Sequence, residues 1–216
     1  MTTDKRKLAA DLLESLGITI VGFCTVPDNM EMLEIERPFP RAIIIGIPIS
    51  RSVLETIKDR PTLLYKHHYK TVNWMLDQAA FRLAQRIESM GARSLAVPAS
   101  QTVDWERQRG HVSHKSLCVA SGLGHIGRNG LIVHPRFGSQ VRYASVLTDL
   151  EFSVNETSAG TCGDCRKCIS ACPAQAISDD GVDLTRCLNM LKEFSKIRGI
   201  GQYICGLCVK ACDGGY

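Results

Sequence analysis

Eight of the ten cysteines in this 216-residue chain fall after residue 160, and their spacing constrains the fold more than any other feature. The first set reads Cys162-x2-Cys165-x2-Cys168-x3-Cys172, with Pro173 directly after it. The second is Cys187 alone, followed by Cys205-x2-Cys208-x3-Cys212. Thiols this closely spaced serve either as disulfide staples or as metal ligands. The rest of the sequence favours ligands. The stretch from Met1 to Lys7 is polar and lacks the apolar core of a secretory signal. The longest apolar run, Ala42 to Ile49, is interrupted by a glycine and a proline and falls far short of the roughly 18 residues of a membrane span. A cytoplasmic location is therefore expected. Disulfides are rare in that reducing compartment, so metal ligation is the first reading to test. The formal net charge of +4 is small and its basic residues are scattered among acids, unlike the clustered basic footprint of a nucleic-acid-binding domain.

Three cysteines two residues apart, then a fourth and a proline, is the bacterial ferredoxin spacing, in which the fourth cysteine ligates the other cluster. Three such thiolates can wrap a tight loop around one cubane, while the fourth is expected to start the next helical turn and point away. The late trio repeats the end of this motif. Cluster I is accordingly assigned to Cys162, Cys165, Cys168 and Cys212, and cluster II to Cys172, Cys187, Cys205 and Cys208. Zinc also accepts four thiolates in CxxC pairs, but it has no need of CxxCxxC followed by CP. Two [4Fe–4S] clusters in one small module make an electron wire. Cys24 and Cys118 sit in apolar sequence and are expected to be buried, unreactive thiols.

Upstream, helices and strands alternate without regular βαβ units. Lys5 to Leu16 reads as an amphipathic helix ended by Gly17. Ile18 to Phe23 and Arg41 to Ser50 read as strands. Pro61 to Met90 reads as a helix with Leu64, Val72, Met75, Ala79, Leu83 and Ile87 inward and Gly91 at its end. Ser94 to Val97 is a short strand, Ser113 to Ser121 a helix, and Gln140 to Leu147 an alternating strand. The pattern predicts a layered α/β (α+β) domain with a mixed sheet over residues 1–150. The polar, turn-rich Glu151 to Thr161 separates it from a cysteine-rich module over 151–216.

Gly122-Leu123-Gly124-His125-Ile126-Gly127 matches GxGxxG. A dinucleotide site needs a strand before this motif and a helix after it, and here the order is reversed, which excludes the NAD reading. Two readings stay open: a plain turn with close packing, or a backbone surface pressed against another flat cofactor. Two polar clusters lie nearby in sequence or on the long helix: His111-Val112-Ser113-His114-Lys115 and Tyr65-Lys66-His67-His68-Tyr69-Lys70. Histidine and lysine side chains beside a glycine-lined surface can supply protons near neutral pH.

With Gly122 to Asp149 (GLGHIGRNGLIVHPRFGSQVRYASVLTD), CGDCRKCISACPAQAI, the late Cys187 in TRCLNML, and ICGLCVKAC, the chain resembles epoxyqueuosine reductase, a cobalamin-dependent iron–sulfur relative of the reductive dehalogenases. The resemblance runs from the IIIGIP strand through Cys212, and the solitary Cys187 is its most specific feature. It implies a nitroreductase-like fold for 1–150 that binds cobalamin, and a ferredoxin-like module for 151–216 whose two [4Fe–4S] clusters feed electrons to cobalt. Ser113, Gly122, Gly124, Gly127, Arg128, Asn129 and Gly130 would form part of the corrinoid pocket. The family continues into a helical-repeat domain that helps hold tRNA, whereas this sequence ends at Tyr216, so tRNA is not expected as a partner. The family's proton-donating aspartate falls in register near Gln108, with Asp104 and Glu106 close but out of step. Cys212 is followed by Asp213 and not by proline.

The expected function is that of a redox protein. It would pass low-potential electrons from an external donor through two clusters to a corrinoid, for a reductive reaction on a small molecule. His111, His114 and Lys115 are the expected proton donors or substrate contacts. The rival expectations are an electron carrier without its own active site, serving a partner redox protein, and a corrinoid-binding chaperone.

Overall fold

The computed structural model describes residues 5–157 and 160–214. In chain order the elements are α1 (Lys5–Ser15), β1 (Ile20–Thr25), β2 (Arg41–Pro48), α2 (Arg51–Glu55), α3 (Leu63–Glu88), β3 (Ser94–Val97), α4 (His114–Ala120), β4 (His125–Ile126), β5 (Ile132–Val133), β6 (Val141–Thr148), α5 (Lys167–Ala171), β7 (Ile177–Ser178), β8 (Gly181–Val182), α6 (Leu184–Ser195) and α7 (Leu207–Ala211). No helix among the described residues is long and apolar enough to cross a membrane.

Two compact units are interleaved along the chain. The first comprises Met1–Ile47, Val72–Leu123 and Arg142–Ser158, and the second Pro48–Thr71, Gly124–Val141 and Ala159–Tyr216. The sequence reading places a single boundary at 150/151. The contacts instead give two earlier segments to the cysteine-rich unit. The reason is apolar supply: the tail contributes Ile200, Ile204 and Leu207, and its core is completed by Ile49, Leu54, Ile57 and Tyr65.

The first unit is built on a four-stranded sheet of order β1-β2-β6-β3. β1 and β2 are antiparallel, as are β3 and β6. In β2, Ala42, Ile43, Ile44 and Ile45 are fully buried, which explains why the strand reads as a continuous apolar run and not as an alternation. The stretch of α3 from Val72 onward packs its inner face into the core through Val72, Leu76, Ala79, Leu83 and Ile87. The expected inward positions Leu64 and Met75 are 53% and 40% exposed. Each is one residue out of phase, about 100° around the helix, and the neighbouring Tyr65 and Leu76 are buried in their place. Cys24 and Cys118 are buried as expected. Burial pushes the Cys24 thiol up to about 12 and raises Cys118 as well, so both are inert, protonated packing groups at neutral pH.

The second unit has two small hairpins, β4–β5 and β7–β8, and four short helices. α6 is capped by Asp183, whose carboxylate accepts from the backbone N–H groups of Thr185 and Arg186 at 2.9 and 3.0 Å. The ammonium of Lys66 donates to the carbonyl of Gly199 at 2.6 Å, tying the start of α3 to the loop after α6.

Candidate iron–sulfur centre

The second unit places its eight thiols on two matching frames. Cys168 is the second residue of α5, and Cys172 ends that helix as its C-cap. Forty residues on, Cys208 is the second residue of α7 and Cys212 its C-cap. The fourth cysteine of each run therefore closes a helical turn, where the sequence reading had it opening one. Its extended backbone, with ψ of 110° at Cys172 and 91° at Cys212, directs the chain away from the helix.

The thiols group by their mutual electrostatics. Cys168 is influenced by Cys212, Cys162 and Cys165. Cys187 is influenced by Cys172, and Cys205 by Cys187 and Cys172. Cys208 is influenced chiefly by Cys205, Cys187 and Cys172, with a smaller effect from Cys168. A small cleft lies among Cys162, Cys165, Cys168 and Cys212, with Arg128 and Asn129 in its wall. Among the described residues, no three histidine, cysteine or acidic side chains converge as the ligands of one ion do.

Desolvation raises Cys168 and Cys187, lifts Cys205 to about 11 and lifts Cys208 to about 12. Without iron these groups are neutral thiols at pH 7. Loading the site must displace their protons. One backbone donor already faces a thiol, since the N–H of Ala176 points at Cys172 Sγ at 3.3 Å.

The glycine-rich turn runs from one unit into the other, and most of it serves the cysteine loops. Gly122, with φ of +72°, follows α4 in the first unit. Gly124 adopts φ of +154°, and a Cβ there would sit 2.3 Å from the carbonyl oxygen of Val133. A Cβ on Gly127 would lie 2.6 Å from Val133 Cγ2 and 3.3 Å from Cys162 Sγ, so only glycine lets the β4–β5 hairpin close against the ligand loop. Arg128 donates to the carbonyls of Cys165 and Gly163 at 3.1 and 2.9 Å and pairs with Asp179 at 3.0 Å. Asn129 is buried; its amide donates to Ser139 Oγ at 3.0 Å and its carbonyl accepts from Leu131 N at 3.1 Å. Gly130, with φ of +69°, completes the turn. Of the two readings open at the sequence level, close packing accounts for Gly124 and Gly127.

The remaining expected site residues lie in the first unit. Ser113 is the N-cap of α4, its hydroxyl accepting from Ser116 N at 3.2 Å. His114 has both ring nitrogens engaged: Nε2 donates to the carbonyl of Pro98 at 2.9 Å, which leaves Nδ1 to accept from Ser145 Oγ at 2.8 Å. Burial, with a smaller repulsion from Arg142 and against the pull of the Pro98 carbonyl, pushes its imidazole down to about 4. His114 is thus a structural histidine with no free nitrogen for proton transfer. His111 Nδ1 lies 3.2 Å from the carbonyl of Leu33 and 3.5 Å from the Glu34 carboxylate. Lys115 is exposed, and desolvation of its ammonium lowers its pKa. Asp104 and Gln108 belong to a tight turn in which Asp104 pairs across to Arg109 and Gln108 takes φ of +54°.

Sequence motif gave no hint of Tyr143 on β6. It is 8% exposed, and its buried hydroxyl has no hydrogen-bond partner among the described residues. Burial, reinforced by Cys118, raises its pKa, so it stays protonated as an unused donor. Gly46 makes room for it, since a Cβ there would lie 3.0 Å from the ring.

The chain combines a mixed α/β body with a cysteine-rich C-terminal region. No protein-family profile matches the chain. The chain is homologous over part of its length to the epoxyqueuosine reductase of Vibrio cholerae, 28% identical over 159 residues covering 69% of this chain and 40% of that protein. It is likewise homologous to the tetrachloroethene reductive dehalogenase of Desulfitobacterium hafniense, 46% identical over 72 residues covering 30% of this chain and 12% of that one. The fold matches both groups over nearly the whole chain. A reductive dehalogenase solved with 3-bromo-4-hydroxybenzoic acid gives a TM-score of 0.80 at 21% identity, covering 98% of this chain and 32% of its own. A second, described through a mechanism for B12-dependent dehalogenation, gives 0.78. A selenomethionine-labelled epoxyqueuosine reductase gives 0.67 at 20% identity, covering 96% of this chain and 64% of its own. The chain thus spans less than half the length of the curated relatives it matches.

Proposed function

We propose that this chain is the electron-delivering core of a corrinoid-dependent reductase acting on a small molecule that the sequence does not name. The observation that carries the reading is eight buried or half-buried thiols gathered in one unit on helix frames that repeat each other, four of them lining one small cleft. Bound [4Fe–4S] clusters would supply low-potential one-electron transfer, and a bound corrinoid the reducing centre that acts on the substrate. Cys162, Cys165, Cys168 and Cys212 would hold one cluster, and Cys172, Cys187, Cys205 and Cys208 the other. Arg128 fixes the first ligand loop through two carbonyls, and Asn129 pins the turn behind it.

Two observations support a corrinoid in the first unit: the fold it shares with a dehalogenase described as B12-dependent, and the unpartnered Tyr143 hydroxyl. That hydroxyl would donate to an acceptor on the corrinoid or its substrate. Of the three expected proton donors, His111 and Lys115 are retained, and His114 is replaced by Tyr143 as the donor with an unused proton.

The test is anaerobic reconstitution with iron, sulfide and hydroxocobalamin, followed by desalting. We expect about eight irons per chain and retained corrinoid absorbance. Iron without corrinoid at micromolar protein would overturn the reductase reading in favour of the electron carrier. Zinc without iron would overturn both. Tyr143→Phe is expected to keep its iron and lose corrinoid affinity or turnover.

A further inference from the structure

Hydrogen bonds to cluster sulfurs are among the levers by which a protein sets a cluster's potential, because reduction puts more negative charge on the ligand sulfurs. A side-chain donor beside the cysteine loops that the ligand motif does not require is therefore a candidate for such a role. His125 stands out. It sits in the middle of the glycine-rich turn, where no dinucleotide or packing role calls for an imidazole.

His125 opens β4 and pairs with Val133 across the hairpin, which fixes its backbone. Its Nε2 lies 3.9 Å from Cys162 Sγ, at the long end of hydrogen-bond reach to sulfur. The other edge of the ring is held by the chain at Gly160, where a Cβ would lie 2.5 Å from His125 Nδ1. The ring is thus clasped between a hairpin and a glycine two residues ahead of the ligand. Gly127, on the same hairpin, brings backbone against the same sulfur. A metal-bound thiolate can only accept, so the ring nitrogen facing it must carry the hydrogen.

We infer that His125 donates a hydrogen bond to the sulfur of Cys162 and raises the reduction potential of the cluster held by Cys162, Cys165, Cys168 and Cys212 relative to the other. This rests on the two-cluster reading. His125 is a positioning and tuning residue, not a ligand. It makes the two clusters electronically unequal although their ligand frames repeat each other, and so gives electron flow a direction.

The experiment uses the full chain, reconstituted anaerobically with iron and sulfide and titrated potentiometrically with electron paramagnetic resonance as the readout. Wild type should show two midpoints. His125→Leu should move one of them to more negative potential by about a tenfold change in its reduction equilibrium, about 59 mV for one electron, and leave the other in place. His125→Gln, which keeps an N–H donor of similar reach, should restore most of the shift. His125→Leu with full iron and two unchanged midpoints overturns the inference while leaving the clusters themselves intact. Should His125→Leu fail to take up iron, wild type labelled with 15N-histidine decides: the reduced cluster should show a magnetic coupling to histidine nitrogen that His125→Gln lacks, and the absence of that coupling overturns the inference. Wild type without any cluster signal after reconstitution fails the two-cluster reading itself, before any variant is compared.

Discussion

The two units hold themselves together by different means. The first has a large apolar core in which Leu13, Ile43, Ile45, Leu76, Leu83 and Ile87 are all fully buried, drawn from two helices and a strand. The second has smaller apolar groupings, one of them formed by Ile49, Leu54, Ile57, Tyr65, Ile200, Ile204 and Leu207, beside eight thiols, most of its helices being five residues long. Helices that short do not persist on local propensity alone. A small unit with so little core is ordinarily stapled by metal or disulfide. On the proposed reading, the first unit is a fold that carries a site, and the second a site that completes a fold.

That difference is most directly broken by removing iron. Anaerobic treatment of the loaded protein with a strong chelator should unfold the second unit and leave the first standing, because ligation and folding free energy are the same quantity in a metal-stapled module. Hydrogen exchange should then show full loss of protection in α5, α6 and α7 with protection kept in β2 and β6. Equal protection in both units after chelation would erase the distinction. Reloading at higher pH should be easier, since the buried thiols must give up protons that Cys205 and Cys208 hold up to about 11 and 12.

The opposite intervention targets the apolar core. Leu83→Ala should destabilise the first unit by about 2–5 kcal/mol, the range for truncating a buried leucine. Leu83 is fully buried on the inner face of α3. Both tryptophans, Trp74 and Trp105, lie in the first unit, so tryptophan fluorescence in urea reports that unit alone. Iron content of the folded variant should be unchanged. Loss of iron in step with the fluorescence change would mean that the units do not unfold separately.

How much of this could be read from the sequence follows the same divide. The spacing of the eight cysteines is a covalent property that tertiary context does not alter, and the proposed crossed sets of four rest on it. β3 and the ends of α1 and α4 were legible because caps and alternation are local. The phase of α3 was not: Leu64 and Met75 are as apolar as their buried neighbours Tyr65 and Leu76, and only packing selects between adjacent faces. The glycine turn misled in a different way. Its glycines signal close approach of backbone to something, and the sequence cannot say whether that partner is a cofactor or, as for Gly127, Val133 and the sulfur of Cys162. Tyr143 escaped notice because a buried tyrosine on an alternating strand is ordinary until its hydroxyl is found without a partner.

His114 turns the comparison into a pH experiment. In the folded chain its imidazole titrates at about 4, against an ordinary value of 6.5. Between those values the unfolded chain binds the proton and the folded chain does not, so stability rises with pH through that window. Stability is unaffected by this group above 6.5 and falls as pH drops toward 4, by about 3 kcal/mol in all. His114→Gln should lower stability at pH 7 and flatten this acid limb, read again by tryptophan fluorescence so that acid-labile clusters do not intrude. An acid limb as steep in the variant as in wild type would remove His114 from the account and reopen its candidacy as a proton donor.

The smallest effect sharpens the comparison at one hydroxyl. Ser113 was expected to contact a corrinoid and is found capping α4, accepting from Ser116 N and Ser116 Oγ. If capping is its whole role, Ser113→Ala should cost about 1 kcal/mol in the urea midpoint of the first unit, the ordinary price of a lost N-cap. Retention of hydroxocobalamin on desalting should not change. Ser113→Asp should recover the stability, because a carboxylate accepts from the same N–H and also favours the positive end of a helix. A variant that keeps its stability and loses corrinoid would reverse the assignment, moving Ser113 from the machinery of the fold to that of the site.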